Sequence, residues 1–395
     1  MKKAKPTMLY VGDFPAPTGF GIVSRNLINT FRKHYDMSII GVNYFGDYDP
    51  ACEGLKVYPA GASQGDIFGF DKFAALLYQM KPEVVFILND IWIGGQYGTV
   101  IEKYKEDVKD QTTKFMLYTP VDAENIKPDF VKAADIFDYL ITYTNFGKEQ
   151  LEKAGYVGNI WVVPHGVDKS NFKPVDKKKV RQMMGMPEDS FVVLNVSRNQ
   201  PRKRLDLFFY IFAEFVKRNN LPESVKCYYH GALVDVGIDV LQWVDYLGIK
   251  NHLALSSTDM TPINSLTLEQ MNLVYNCADV FFTTAAAEGW GLPVSEAMAV
   301  GLPCILPNHS AFADWPEDNA ILVDCYDFPT LTDRGLNTVH HVIDVDKAVN
   351  ALEALYNSAE LRKSLGKQGY DLMQQKRFNW DTIANSFMDI LNGRN

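Results

Sequence analysis

Two carboxylates eight residues apart, Glu288 and Glu296, bracket a glycine turn in Ala-Ala-Ala-Glu-Gly-Trp-Gly-Leu-Pro-Val-Ser-Glu-Ala-Met-Ala-Val-Gly-Leu-Pro, residues 285–303. Ionised carboxylates only accept hydrogen bonds, so they suit hydroxyls, and vicinal diols above all. A second group, Arg198, Arg202, Lys203 and Arg204 in Val-Ser-Arg-Asn-Gln-Pro-Arg-Lys-Arg-Leu (196–205), could receive an anion. The elements that must position the acids are legible around them. The run 279–284 is β-branched and aromatic, as in a buried strand. Gly289 and Gly291 then loosen the backbone, and Pro293 stands where a helix takes proline first. Glu296, Ala297, Met298 and Ala299 are good helix formers, and Gly301 with Pro303 closes the helix. Strand, glycine turn and helix leave free amides aimed at whatever binds the turn. Hydroxyls at both ends with negative charge between them describe a sugar nucleotide.

The basic group leads into an apolar-faced helix expected over Arg204–Arg218. Cations at a helix N-terminus are unfavourable by roughly 0.3–1 kcal/mol each, whereas Lys217 and Arg218 occupy the favourable end. A bound anion would offset the misplacement; a solvated basic face is the alternative.

Glu288-x7-Glu296 with the intervening Gly-Trp-Gly-Leu-Pro, followed by Ala-Met-Ala-Val-Gly-Leu-Pro, resembles the signature of retaining glycosyltransferases of family 4. The resemblance implies the GT-B fold, two doubly wound Rossmann-like α/β domains facing across a cleft. It implies that Glu296 binds the ribose and Glu288 the transferred sugar. Amides of Gly289, Trp290, Gly291 and Leu292 would then serve sugar and phosphate, and Arg198 with Lys203 would clamp the diphosphate. Gly19 and Gly21, in Gly12-Asp-Phe-Pro-Ala-Pro-Thr-Gly-Phe-Gly21, match the glycine pair that lets the backbone pass close to diphosphate and acceptor; a plain βα turn is the other reading. That loop lacks the third glycine of a dinucleotide fingerprint, and no Gly-Lys-Ser/Thr follows it.

The chain departs from the family where many members carry a histidine near the sugar. The corresponding segments, Asn89–Gly95 and Tyr118–Glu124, contain none, and Asp122 comes nearest in position, as an acceptor or sugar contact or as a surface acid. His165 is expected at a hinge and His230 at a strand end near the base pocket. The family's front-face transfer leaves the acceptor's proton to the departing phosphate, so Arg198, Lys203 and amides would suffice without a metal. Asp47-x-Asp49 lies far upstream and is discounted as a metal motif, and no cofactor beyond the nucleoside-diphosphate sugar co-substrate is expected.

Length and patterning fit this reading. With 395 residues the chain is natural for two domains. Strands expected over 7–12, 37–44, 84–89, 113–119, 139–143 and 160–164 alternate with helices at 22–34, 70–79 and 146–153. After a hinge near 165–168 the pattern restarts, with strands over 191–197, 225–230, 253–256, 280–284, 304–307 and 321–324 and helices at 267–276, 345–357 and 361–375. Alternation of this kind argues parallel sheets covered on both faces. The domains are placed at 1–166 (acceptor side) and 167–378 (nucleotide-sugar side), with a last helix in 379–395 crossing back to the first. The segment 325–342 is longer and more polar than a strand-to-helix link needs, as a specificity loop or a surface insertion would be.

A formal net charge of −9, spread over both halves, argues against a nucleic-acid binder. Five scattered cysteines without a zinc-like cluster read as reduced thiols in a cytoplasmic protein. No apolar run approaches a membrane span, which leaves only peripheral membrane contact open. The expected partners are a nucleotide sugar and a glycan, lipid-linked or small-molecule acceptor; a modified base in nucleic acid, as for viral transferases, is the variant not indicated by charge. A GT-B sugar-nucleotide epimerase and a non-catalytic nucleotide- or glycan-binding scaffold are the competing readings. Nothing in the sequence sets an oligomeric state.

Overall fold

The computed structural model describes residues 4–61, 65–108, 112–256, 266–331 and 336–394. Contacts divide the chain into two units, Met1–Gly166 with Asn379–Asn395, and Val167–Phe378.

In the first unit seven strands form one sheet: β1 (Thr7–Asp13), β2 (Asp36–Val42), β3 (Lys56–Pro59), β4 (Val84–Leu88), β5 (Lys114–Thr119), β6 (Tyr139–Thr142) and β7 (Ile160–Val162). Their order is β3-β2-β1-β4-β5-β6-β7, parallel throughout. Residues 8–13 and all five of β4 are buried, as expected of strands covered on both faces. The C-terminal helix Trp380–Leu391 packs in this unit: Phe387 meets Phe86, Tyr118 and Phe31 with ring centroids 5.0, 4.8 and 6.1 Å apart. Thr30 and Lys33 on the helix Gly19–His34 bond Asp381 near its start.

The edge strand β3 was not expected, because Lys-Val-Tyr-Pro is short and ends in proline. The 17-residue helix Ile91–Asp107 was not expected either. Gly94, Gly95 and Gly98 lower its propensity, yet packing requires the first two: an added Cβ would lie 2.7 Å from Leu117 at Gly94 and 2.7 Å from Ala133 at Gly95.

The second unit's sheet comprises β8 (Phe191–Val196), β9 (Val225–His230), β10 (Leu253–Leu255), β11 (Val280–Phe282), β12 (Cys304–Pro307) and β13 (Ile321–Val323). Its order is β10-β9-β8-β11-β12-β13, again parallel. Each unit is thus doubly wound, and the chain has the GT-B class of fold. The helix Leu205–Asn219 buries Phe208, Phe209, Ile211, Phe212 and Phe215 against this sheet. Segment 325–342 forms an antiparallel hairpin of β14 (Cys325–Leu331) and β15 (Val339–Ile343); its residues 332–335 lie outside the described ones. Cys227, Cys277 and Cys304 are buried, and all five cysteines are free thiols. Among the described residues no helix is long and apolar enough to cross a membrane.

One stability prediction arises in the first unit. Thr18 caps the helix Gly19–His34 by accepting the Gly21 N–H at 2.9 Å, and it donates to the buried Asp13 carboxylate at 2.6 Å. Thr18→Ala is expected to lose about 1–2 kcal/mol, read as a lower unfolding midpoint in urea. An unchanged midpoint would mean that water replaces both bonds.

Candidate active site

In an open parallel sheet the ligand crevice lies outside the carboxyl ends of the strands, where the winding reverses. In the second unit that point falls between β8 and β11. Two loops leave it, 197–204 after β8 and 283–291 after β11. Hydrogen bonds to backbone carbonyls join them: the Ala286 N–H donates to Arg202 O at 2.9 Å, and the Thr284 hydroxyl donates to Arg204 O at 2.8 Å and Lys203 O at 3.2 Å.

The join brings charges together. Arg202 Nη1 lies 3.0 Å from Glu288 Oε2, and Lys203 Nζ pairs with Oε1. Arg202 also donates to Ala287 O. The Glu288 backbone is held by Ser310 Oγ, which accepts its N–H at 2.9 Å, and by the Ala311 N–H, which donates to its carbonyl at 3.2 Å. Burial pushes the Glu288 carboxyl upward and is the largest single influence. Lys203 and then Arg202 together outweigh it and hold the pKa at about 2. Two cations thus converge on one carboxylate, from which an arriving anion could draw them.

Beyond Glu288 the turn is tightly specified. Gly291 has φ +87° and opens the helix Leu292–Ala299, and a Cβ there would lie 2.4 Å from the Phe312 ring. Trp290 is buried and stacks on Trp315 with centroids 4.6 Å apart, while the Trp315 indole donates to Trp290 O at 2.8 Å. Gly289 is buried and Leu292 half-buried. Glu296 is buried on this helix and accepts from the Tyr275 hydroxyl at 2.6 Å. Its pKa rises to about 7, chiefly through burial; Tyr275 opposes the rise and Asp168 adds to it.

Lys203 and Glu288 are thus in contact, with Glu296 eight residues further along the same strand–turn–helix segment. Arg198 is not in this cluster: its side chain is 63% exposed and its Nε lies 2.7 Å from Asp235. Arg202 accompanies Lys203 instead. Each of these three cations at the helix N-terminus is paired from within the chain, because Arg204 pairs with Asp206 at 2.8 Å and Glu288 takes the other two. A bound anion is therefore not needed to explain that group's position.

Gly19, Gly21 and Asp122 belong to the first unit. Gly19 opens its helix, and a Cβ at Gly21 would lie 1.8 Å from Ala16 O, so the missing side chain is required by the loop itself. Asp122 is half-buried, three residues beyond β5. His165, next to the last residue before the unit boundary, is buried with its Nδ1 2.8 Å from the Tyr118 hydroxyl. Burial lowers its pKa to about 3. His230 ends β9 with Nδ1 2.8 Å from Ser256 Oγ, and burial lowers it to about 4.

Sequence reasoning missed Tyr275, Ser310 and Asp13. Tyr275 and Ser310 reach the turn only through the fold. Asp13 had a signal, since it closes β1 at the first sheet's own reversal between β1 and β4. It is buried, accepts from Thr18 at 2.6 Å and Asn43 at 3.2 Å, and burial raises its pKa.

The chain is similar in sequence and in fold to known proteins. Residues 176–372 match the family described as glycosyl transferases group 1. An Escherichia coli UDP-Gal:alpha-D-GlcNAc-diphosphoundecaprenol alpha-1,3-galactosyltransferase is 33% identical over 186 residues, 45% of this chain and 44% of the relative. A D-inositol 3-phosphate glycosyltransferase from Geodermatophilus obscurus is 30% identical over 145 residues, 36% of this chain and 32% of the relative. The chain therefore spans less than half the length of these relatives. Among solved structures, sucrose-phosphate synthase from Thermosynechococcus elongatus superposes with a TM-score of 0.73 at 17% identity, covering 98% of each chain. Anabaena HepE in complex with UDP-glucose gives 0.70 at 16% identity, covering 98% of this chain and 100% of that one.

Proposed function

Because residues 176–372 form a domain of the glycosyl transferases group 1 family, we propose that this protein transfers a sugar from a nucleoside-diphosphate sugar to an acceptor hydroxyl with retention of configuration. The observation that carries the proposal is the pair of cations, Arg202 and Lys203, held on Glu288 beside a glycine turn that opens a helix. The cations take the diphosphate, Glu296 the ribose hydroxyls and Glu288 the sugar hydroxyls. The acceptor oxygen bonds to the anomeric carbon from the face that the diphosphate leaves, and a phosphate oxygen takes the acceptor's proton. Protein groups then have two tasks, positioning and stabilising the charge on the leaving group. Lys203 and Arg202 supply that stabilisation without a metal. Uridine is the first base to test, since the HepE structure holds UDP-glucose. A glycan or lipid-linked acceptor is the first class to test, following the galactosyltransferase relative. The free thiols suit a cytoplasmic location.

The experiment is proton NMR of the reaction with UDP-glucose in excess chelator. An α-configured glucoside or α-glucose appearing first is expected. The β anomer first, or total loss of turnover restored by manganese, would overturn the retaining, metal-independent reading. An epimerase would instead return a second nucleotide sugar and no glycoside.

A pH dependence follows from Glu296. Its raised pKa of about 7 means that the carboxyl is protonated below that pH and charged above it. Only the charged form accepts both ribose hydroxyls. UDP-glucose, whose diphosphate does not titrate in this range, should therefore bind more weakly by about fivefold at pH 6 than at pH 7, and about tenfold more weakly than at pH 8, above which the affinity levels off. Glu296→Gln should flatten the profile. Affinity in the wild type that ignores pH over this range would remove Glu296 from the nucleotide contact.

A further inference from the structure

The second unit holds a cavity of about 530 Å³, lined by Asp206, Ile238, Asp239, Gln242, Trp243 and Tyr246. That volume lies within the range of ordinary small-ligand sites. Trp243 and Tyr246, three residues apart, share a face of the helix Val240–Tyr246. Their rings stack nearly parallel, 12° from coplanar with centroids 5.2 Å apart. The Trp243 indole is fixed from behind, since its Nε1–H donates to Asp206 O at 3.0 Å and it packs on the unit's core. Tyr246 is 78% exposed, so a large tyrosine is held in place by stacking with little cover of its own.

The polar lining is of one kind. Asp239 uses Oδ1 to cap the helix, accepting the Gln242 N–H at 3.0 Å, and Asp206 pairs with Arg204. Both carboxylates keep further lone pairs, and the Gln242 amide can donate as well as accept. No lysine or arginine is among the lining residues, so a phosphate, a nucleotide or an anionic lipid headgroup would meet two carboxylates and no lining cation. A flat aromatic surface beside carboxylate and amide groups complements a ligand with an apolar C–H face and a hydroxyl edge. That is a pyranose ring.

We propose that this cavity is a second carbohydrate site, taking a neutral oligosaccharide on the Trp243–Tyr246 stack, separate from the cationic cluster. The proposal rests on the glycosyl-transfer reading only for its use, which would be to hold a glycan chain near the enzyme that modifies it. The test is saturation-transfer NMR on the full chain with maltotetraose, cellotetraose and chitotetraose, each in the presence of UDP, with UDP affinity measured on the same samples. At least one sugar should give a saturable signal that UDP does not displace. Tyr246→Ala should weaken it roughly threefold to tenfold, whereas Tyr246→Phe, which keeps the ring, should retain it. UDP affinity should be unchanged in both variants. The proposal is overturned by no saturable signal from any of the three sugars, by competition with UDP, or by equal signals in Tyr246→Ala and wild type. A concentration-dependent dimer in sedimentation that Tyr246→Ala abolishes would overturn it too, by assigning the surface to a second copy of the chain. Failure of UDP itself to bind would count against the donor site and leave the sugar signal readable.

Discussion

Lys203→Ala is expected to weaken UDP binding by about tenfold to a hundredfold, because a charge-assisted contact of this kind contributes ~1.5–3 kcal/mol. Transfer should fall at least as far, since the same ammonium meets the charge that grows on the leaving diphosphate. The side chain is only 16% exposed, so water cannot readily replace it. The variant also leaves Glu288 with Arg202 as its one remaining partner in the cluster and so raises the Glu288 pKa, which deepens the loss of transfer. Calorimetric titration with UDP and initial rates with UDP-glucose read the two effects, and circular dichroism reports whether the fold survives. An unchanged dissociation constant in a folded variant would remove Lys203 from the phosphate site.

Glu288→Gln is expected to move binding and turnover in opposite directions. In the empty site the Glu288 carboxylate lies on Lys203 and Arg202, where the diphosphate would otherwise lie. The diphosphate must draw both cations from it, so a neutral amide should tighten UDP binding, by roughly tenfold on the scale of one charged contact. Transfer should fall by about a hundredfold to a thousandfold, as when a preorganised group facing developing charge is removed. Resemblance alone gives Glu288 a contact only with the sugar, for which UDP affinity would stay nearly level. Weaker UDP binding in a folded Glu288→Gln would show that the carboxylate supports the cations' geometry more than it competes for them. Unchanged turnover would take Glu288 out of the reaction.

How far the site was legible follows from how local each signal is. Glu288, Gly291 and Glu296 lie in one strand–turn–helix, so pattern and helix-end chemistry place them without any knowledge of the rest. The choice between Arg198 and Arg202 is set by loop conformation. One 3₁₀ turn over Pro201–Lys203, followed by Arg204 at φ +49°, aims Arg202 and Lys203 at the neighbouring loop and leaves Arg198 facing Asp235. Spacing in the chain carries none of that. Tyr275 and Ser310 were invisible for a related reason, since each arrives from another element and has no motif of its own. In the fold, the hydrophobic runs of β1, β4, β8 and β11 were readable. The helix Ile91–Asp107 was hidden, because its glycines serve contacts with Leu117 and Ala133 and not helix propensity.

The most direct test of the central claim, that Arg202, Lys203 and the 288–296 turn form a nucleoside-diphosphate site, is thermal unfolding of the wild-type chain with UDP, UDP-glucose, uridine or free glucose. A ligand at a hundred times its dissociation constant stabilises by about 2.7 kcal/mol, which raises Tm by several degrees for a unit of this size. UDP and UDP-glucose are expected to do so, while uridine and glucose, which lack the diphosphate, leave Tm in place. With GDP and ADP run alongside as the alternative bases, an equal rise with uridine, or no rise with any of the three nucleoside diphosphates, would contradict the assignment.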